Sequence, residues 1–185
     1  MMNKAITLAI VVFLPVFTTG GCIGRAIKEG VGTVRGARGI HTPLTPVSPD
    51  KNARPLGQYS RFELGTMKDS FGGKVPRELF AMLPLKFEAQ RIEAELPNSP
   101  TGKVLLIRGE VFHYEDEDLV GEVLGPLEEV VARVEMVDKD TGKVIATANC
   151  VGRTMESVNK GVEKKADGLA KAIVSWIKSR YPETE

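Results

Sequence analysis

Residues 127–155, LEEVVARVEMVDKDTGKVIATANCVGRTM, decide the fold because they predict two β-strands joined by a tight turn. In the first half apolar and charged residues alternate, with Val130, Ala132, Val134 and Met136 on one face and Glu129, Arg133 and Glu135 on the other. Asp140 and Gly142 favour a hairpin turn between the halves. In the second half Val144, Ala146, Ala148 and Cys150 share a face, and such small side chains predict a helix packed close to the sheet.

Two further strands and a helix precede the hairpin. Residues 59–67 (YSRFELGTM) and 103–114 (KVLLIRGEVFHY) alternate as strands do. Residues 75–96 between them predict a helix with an apolar face, formed by Leu79, Leu83, Phe87 and Ile92. Pro84 lies inside this pattern and predicts a kink or a division into two helices.

The last segment predicts a second helix, because its apolar residues recur at helical spacing. They are Val158, Val162, Leu169, Ile173, Trp176 and Ile177. The sequence therefore predicts one α+β domain over residues 59–182, in the order β-α-β-β-β-α. Its sheet is expected to be largely antiparallel, to have about four strands, and to carry the helices on one face.

The N-terminus predicts an export signal over residues 1–21. Lys4 precedes an apolar stretch from Ala5 to Phe17, which is shorter than the roughly 20 residues of a membrane-spanning helix. The following TTGGC resembles a bacterial lipobox, in which the cysteine thiol receives a diacylglyceryl group and becomes the acylated N-terminus. This resemblance implies lipidation of Cys22, although Thr19 stands where such signals usually carry a larger aliphatic residue.

Three other interpretations of Cys22 stay open. One is ordinary signal cleavage without lipidation, and another is a retained apolar segment that anchors the chain. A disulfide with Cys150, the second of two cysteines, would be an unusual single bridge for a domain of this size. Cys150 instead has the surroundings of a small core residue.

Residues 22–58 predict a tether that is Gly-rich and basic at first and Pro-rich afterwards. Its prolines at 43, 46, 49 and 55 favour extended backbone. The basic residues close to Cys22 are candidate membrane-surface contacts: Arg25, Lys28, Arg35 and Arg38. Anionic headgroups would attract them, but the favoured interpretation is a solubilising tether.

Charge is balanced overall and uneven along the chain. The net charge is +1, which gives no electrostatic indication of nucleic-acid binding. Residues 110–142 contain 11 acidic and 2 basic residues, and a run of four acids stands in the loop 115–118, namely Glu115, Asp116, Glu117 and Asp118. Asp138 and Asp140 partly resemble a calcium loop without its further ligands. A solvated loop and an ordinary hairpin turn are the favoured interpretations, and no metal site is predicted.

No catalytic motif is recognisable in the sequence. Its two histidines, His41 and His113, exclude a multi-histidine metal site. No nucleophile elbow, phosphate loop or dinucleotide fingerprint follows a predicted strand. A Cys150–His113 pair would need Cys150 to leave its predicted core face. We therefore expect a protein that is not an enzyme and has no cofactor.

Several segments together resemble an uncharacterised family of bacterial envelope lipoproteins, known only as a domain of unknown function. They are FELGT, PRELF, LLIRGEV, the hairpin VEMVDKDTGKVIATA and the closing helix. The order of elements is also similar to that of the TolB N-terminal domain and of CsgG. The family resemblance implies an outer-membrane or periplasmic lipoprotein without known catalytic residues.

These observations lead to a functional expectation. The chain is expected to be a lipid-anchored cell-envelope protein that binds a protein partner or a second copy of itself, and not nucleic acid. Ile23 is not the aspartate that favours inner-membrane retention, so the outer membrane, facing the periplasm, is favoured. The alternative is a periplasmic ligand-binding, metal-binding or hydrolytic domain that acts at the acidic loop 115–118.

Overall fold

A five-stranded sheet and two helices make up the part of the chain that the computed structural model describes, which is residues 37–50, 52–115, 128–154 and 161–182. The strands are β1 (Arg38–Thr45), β2 (Tyr59–Asp69), β3 (Lys103–Tyr114), β4 (Glu128–Asp138) and β5 (Val144–Thr154). The helices are α1 (Arg77–Glu93) and α2 (Val162–Lys178), and a short 3-10 helix, Pro55–Gln58, precedes β2. These residues belong to one compact unit, residues 34–185.

The strands lie in the order β1-β5-β4-β3-β2. Strands β2 and β3 are parallel, because α1 carries the chain back between them, and the other neighbours are antiparallel. The predicted α+β class is confirmed, and so is the order β-α-β-β-β-α from β2 onwards. The sheet has five strands, however, and not the four that were predicted.

The additional strand, β1, lies within residues 22–58, for which the sequence predicts a tether. It pairs antiparallel with β5, so that Gly39 lies opposite Gly152. Pro43 cannot donate a ladder hydrogen bond, and an edge strand tolerates this because one of its sides is unpaired. The prolines therefore do not prevent pairing here, and residues 38–45 belong to the folded domain.

The core lies between the helices and one face of the sheet. On β4 and β5 most of the predicted inward residues are fully buried, namely Val130, Ala132, Val134, Met136, Ala146, Ala148 and Cys150. Val144, predicted on the same face, is 38% exposed at the hairpin end of β5, next to a register irregularity in the pairing with β4. Helix α2 packs close to β1 and β5 because glycines meet there. A Cβ on Gly152 would stand 2.4 Å from the Leu169 nitrogen, and one on Gly39 would stand 2.2 Å from the Ala172 nitrogen. We call the opposite face of the sheet, which no described helix covers, the open face.

The buried residues of helix α1 match the predicted apolar face up to Phe87, but not at Ile92. Leu79, Leu83 and Phe87 are buried as expected, and the helix continues through the exposed Pro84 as one element rather than two. Ile92, predicted as core, is 61% exposed. The buried position beyond Phe87 is taken by Arg91, whose guanidinium binds the Glu88 carboxylate at 2.6 Å and the Leu96 carbonyl at 2.5 Å.

Candidate functional site

The predicted anchor lies outside the described residues. This holds for Cys22 and for the basic residues Arg25, Lys28 and Arg35, whose roles stay predictions. Arg38 is described and lies in β1, where its register partner in β5 is Arg153. Within the described ranges, no helix combines the length and the apolar character that crossing a membrane requires.

The Cys150–His113 pair does not form. Cys150 is fully buried on the helix-facing side of β5, and this burial raises the pKa of its thiol to about 12. His113 pairs with Val131 on the open face. Because the two side chains lie on opposite faces of the sheet, His113 cannot activate this thiol. The register partner of Cys150 in β1 is His41, whose pKa is lowered by burial.

In the turn that partly resembles a calcium loop, the Asp138 carboxylate accepts hydrogen bonds from protein groups. The backbone N–H and the hydroxyl of Thr141 both donate to Asp138 Oδ1 at 2.9 Å, and the Tyr59 hydroxyl donates to Asp138 Oδ2 at 2.9 Å. The Thr141 backbone bond is the leading cause of a lowered pKa for Asp138. Both oxygens are thus occupied by protein donors, as the hairpin interpretation expects.

The acidic loop 115–118 is represented only by Glu115, since residues 116–127 lie outside the described part. Glu115 lies beside His113 and Glu129 on the open face. His113 Nε2 is 3.2 Å from Glu115 Oε1 and 3.9 Å from Glu129 Oε1, and the ligand atoms of all three residues lie within 4.8 Å of one another. All three side chains are half-buried. We call these three residues the His113 cluster.

Strand pairing explains why these residues meet. Successive side chains of a strand alternate between faces, so His113 and Glu115 share one face. The Glu115 N–H donates to the Glu129 carbonyl at 2.9 Å, which places Glu115, just beyond the end of β3, opposite Glu129 of β4. On β5, Arg153 Nε donates to Glu129 Oε2 at 2.7 Å. Glu129 and Arg153 were not predicted as site residues, because their neighbourhood depends on the register between strands.

A buried lysine supports the same end of the sheet from the opposite face. Lys165 of α2 is fully buried, and its ammonium group donates to the Glu115 carbonyl oxygen and lies 4.2 Å from the Tyr114 ring centroid. A buried ammonium needs such partners to replace water. Lys165 therefore fixes the backbone at the end of β3, next to the His113 cluster.

Helix α1 carries a second apolar face that the core does not use. Leu85 and Ile92 are 74% and 61% exposed, and seven residues separate them along the helix. Ala81 and Ala89 are also exposed and lie on the same side, because these positions repeat at helical spacing. We call Ala81, Leu85, Ala89 and Ile92 the outer face of α1.

A shallow groove of about 620 Å³ begins where α1 ends. Its lining comes from β1, the end of α1 and the second half of α2, namely Gly39, Gln90, Glu93, Ala94, Lys171, Val174, Ser175, Lys178 and Ser179. Six of its nine lining residues are polar or charged, yet its exposed lining surface is mostly apolar. The groove is open to solvent, unlike the enclosed pockets that usually bind small molecules.

Comparisons with known proteins give structural likenesses only. No protein-family model matches the chain, and no curated protein sequence matches it. A PelC dodecamer from Paraburkholderia phytofirmans is similar with a TM-score of 0.47 and 11% identity, covering 77% of this chain and 97% of that chain. A variant of that dodecamer gives a TM-score of 0.45 and 14% identity, covering 76% and 97% of the two chains.

A third solved structure is a minor lipoprotein from Acinetobacter baumannii. Its TM-score is 0.39 and its identity 14%, and the match covers 65% of this chain and 93% of that chain. At such TM-scores and identities, none of the three likenesses assigns a function or an assembly to this chain.

Proposed function

We propose that this chain is a lipid-anchored protein of the bacterial cell envelope whose α+β domain is not an enzyme and binds a protein partner or a second copy of itself. The observation that carries the binding function is the outer face of α1. Two large aliphatic side chains, Leu85 and Ile92, stand largely in water on one side of a well-packed helix. Contiguous exposed apolar patches mark protein-interaction surfaces, and the exposed Ala81 and Ala89 extend these two side chains into one apolar stripe along α1.

The anchoring half of the proposal rests on the sequence around Cys22. An apolar stretch and two small residues, Gly20 and Gly21, precede this cysteine, and basic residues follow it. Acylation would supply one membrane signal, and the basic side chains a second one. The outer membrane, facing the periplasm, is the proposed location because Ile23 follows the cysteine.

The proposal that the protein is not an enzyme is supported by the position of Cys150, the candidate nucleophile. The Cys150 thiol lies in the core with its pKa raised to about 12, whereas a nucleophilic cysteine needs an accessible thiolate. The described part of the chain thus offers no activated cysteine.

Labelling cells with a palmitate analogue tests the anchor. Wild-type protein should carry label, and Cys22→Ser should not. Cys150→Ala is the matched control, since it removes the other cysteine and should keep the label. Equal labelling of wild type and Cys22→Ser would refute lipidation at this position.

Purification of the full chain from detergent-solubilised envelopes tests the binding function. We expect wild type to elute with a partner or as an oligomer, and Leu85→Glu to elute as an unaccompanied monomer, because the buried charge would oppose association. Val144→Glu is the control, since Val144 is an exposed aliphatic residue outside α1. Loss of association in both variants, or in neither, would count against the outer face of α1.

The second candidate function is ligand or metal binding at the acidic loop 115–118. One observation favours it, namely that Glu115 lies within the His113 cluster. This candidate does not depend on the anchor.

A further inference from the structure

We propose that the His113 cluster binds one divalent transition-metal ion of the zinc class, with His113 Nε2 and one carboxylate oxygen from each of Glu115 and Glu129 as ligands. The inference goes beyond the anchoring and partner-binding function and uses none of the residues that carry it. It narrows the acidic-loop candidate to one ion class and to three residues.

The pairing of the two glutamates is the first argument. Glu115 and Glu129 lie opposite each other on neighbouring strands and share a face, and like charges in this arrangement destabilise a sheet. Arg153 compensates one charge by donating to Glu129 Oε2 at 2.7 Å. The other oxygen, Oε1, lies 3.9 Å from His113 Nε2. A cation between the three side chains would offset the remaining repulsion.

The three ligand atoms, which lie within 4.8 Å of one another, would have to move closer together around a bound ion. Zinc binds nitrogen and carboxylate oxygen at about 2.1 Å, so two ligands at tetrahedral angles stand about 3.4 Å apart. The separations from His113 Nε2 to the two carboxylates are 3.2 and 3.9 Å. Rotations of the two half-buried glutamate side chains would bring all three atoms onto one ion.

The types of ligand atom indicate which class of metal ion would bind. Calcium and magnesium prefer oxygen ligands throughout, whereas an imidazole nitrogen with two carboxylates suits zinc and its first-row neighbours. Three protein ligands also leave a fourth tetrahedral position for water, which fits a half-buried site.

Neighbouring residues hold the ligands in place. The Phe71 ring meets the His113 imidazole edge to face with centroids 5.7 Å apart. Arg153 holds Glu129, and Lys165 holds the backbone of Glu115 through its carbonyl. Such supporting contacts orient ligands before the ion arrives.

Cobalt titration of the purified, chelator-treated full chain at neutral pH tests the proposal. Cobalt(II) replaces zinc and gives visible absorption bands whose strength reports its coordination geometry. We expect one ion per chain with an intense, tetrahedral-type spectrum, and displacement by zinc but not by an equal concentration of calcium. No saturable spectrum, or displacement by calcium, would overturn the proposal.

Variants locate the site. His113→Gln and Glu115→Gln should each weaken cobalt binding by about 100-fold or more, since loss of even a supporting contact costs up to that factor. His41→Gln and Glu110→Gln are the matched controls, the latter being a carboxylate on the same strand, and should bind as wild type does. Circular dichroism checks that each variant is folded. Unchanged binding in folded Glu115→Gln, or equal weakening in His41→Gln, would contradict the assignment.

Discussion

The two helices have the same length and differ in how they use their apolar side chains. Each spans 17 residues, but α2 buries ten of them and α1 only four. In α2 the large apolar side chains that recur at helical spacing, Leu169, Ile173, Trp176 and Ile177, are all buried. In α1 the apolar residues form two faces, and Leu85 and Ile92 stand outside the core. Helix α2 thus places its large apolar side chains in the core, whereas α1 does so on one side only and leaves apolar side chains exposed on the other.

The largest loss of stability is expected from a substitution where α2 packs against the sheet. A Cβ on Gly152 would lie 2.4 Å from the Leu169 nitrogen and 2.6 Å from the Lys165 carbonyl oxygen, both backbone atoms. Gly152→Val should therefore lower the free energy of unfolding by about 3 kcal/mol or more, since helix and sheet must separate. Denaturant unfolding followed by circular dichroism measures this.

Ala81→Val is the control for that change, because it adds bulk to the outer face of α1. Its cost should stay below about 1 kcal/mol, the size of a helix-propensity difference. If Gly152→Val were as stable as Ala81→Val, the close packing of α2 would be wrong.

The second largest loss of stability is expected on the buried face of α1, and a matched pair of leucines compares this face with the outer face. Leu83 is buried and Leu85 is exposed. Leu83→Ala should lower the free energy of unfolding by about 2–5 kcal/mol, and Leu85→Ala should change it by less than about 0.5 kcal/mol. The same denaturant titration compares them, and equal losses would show that α1 does not have one buried and one outer face.

The smallest effect concerns the ion pair that joins the helices. Lys86 Nζ of α1 lies 2.5 Å from Glu163 Oε1 of α2 and lowers the pKa of that exposed carboxylate. Because the pKa is lowered in the folded state, the stabilisation is present above the ordinary value of 4.5 and is lost as the pH falls through the folded value. It should be small, as for most surface pairs.

Melting temperatures of wild type and Lys86→Gln, measured at neutral pH and in acid, check this contribution. The difference between the two proteins should be slight at neutral pH, shrink with added salt, and vanish in acid. A difference in melting temperature that grows in acid would contradict the expected loss of this stabilisation at low pH.

Local patterns were sufficient for much of the fold. Most inward residues of the β4–β5 hairpin and the buried residues of α2 from Leu169 onwards could be predicted, because alternation and helical spacing there match a single buried face. Val144 is an exception, and the predicted helix residue Val158 lies outside the described residues. Ile92 was misplaced because α1 has two apolar faces, and spacing alone does not tell which of them meets the sheet. Strand β1 was missed because Pro43 and its neighbours resemble a spacer, and only pairing with β5 makes them a strand.

The candidate sites also differ in whether the local sequence could predict them. Cys22 could be named from its local surroundings, whereas the His113 cluster could not. Glu115 and Glu129 are far apart in sequence, and only the register between β3 and β4 brings them together. Long-range geometry of this kind leaves no local signal.

Photo-crosslinking in living cells tests most directly the central claim, that the outer face of α1 is the binding surface. A photoreactive amino acid would replace Leu85 in the full chain, and Thr66, an exposed residue of β2, would be the control position. We predict a defined crosslinked product, with a partner or with a second copy, from position 85 and none from position 66. Absence of a product at position 85, or the same product from both positions, would contradict the claim.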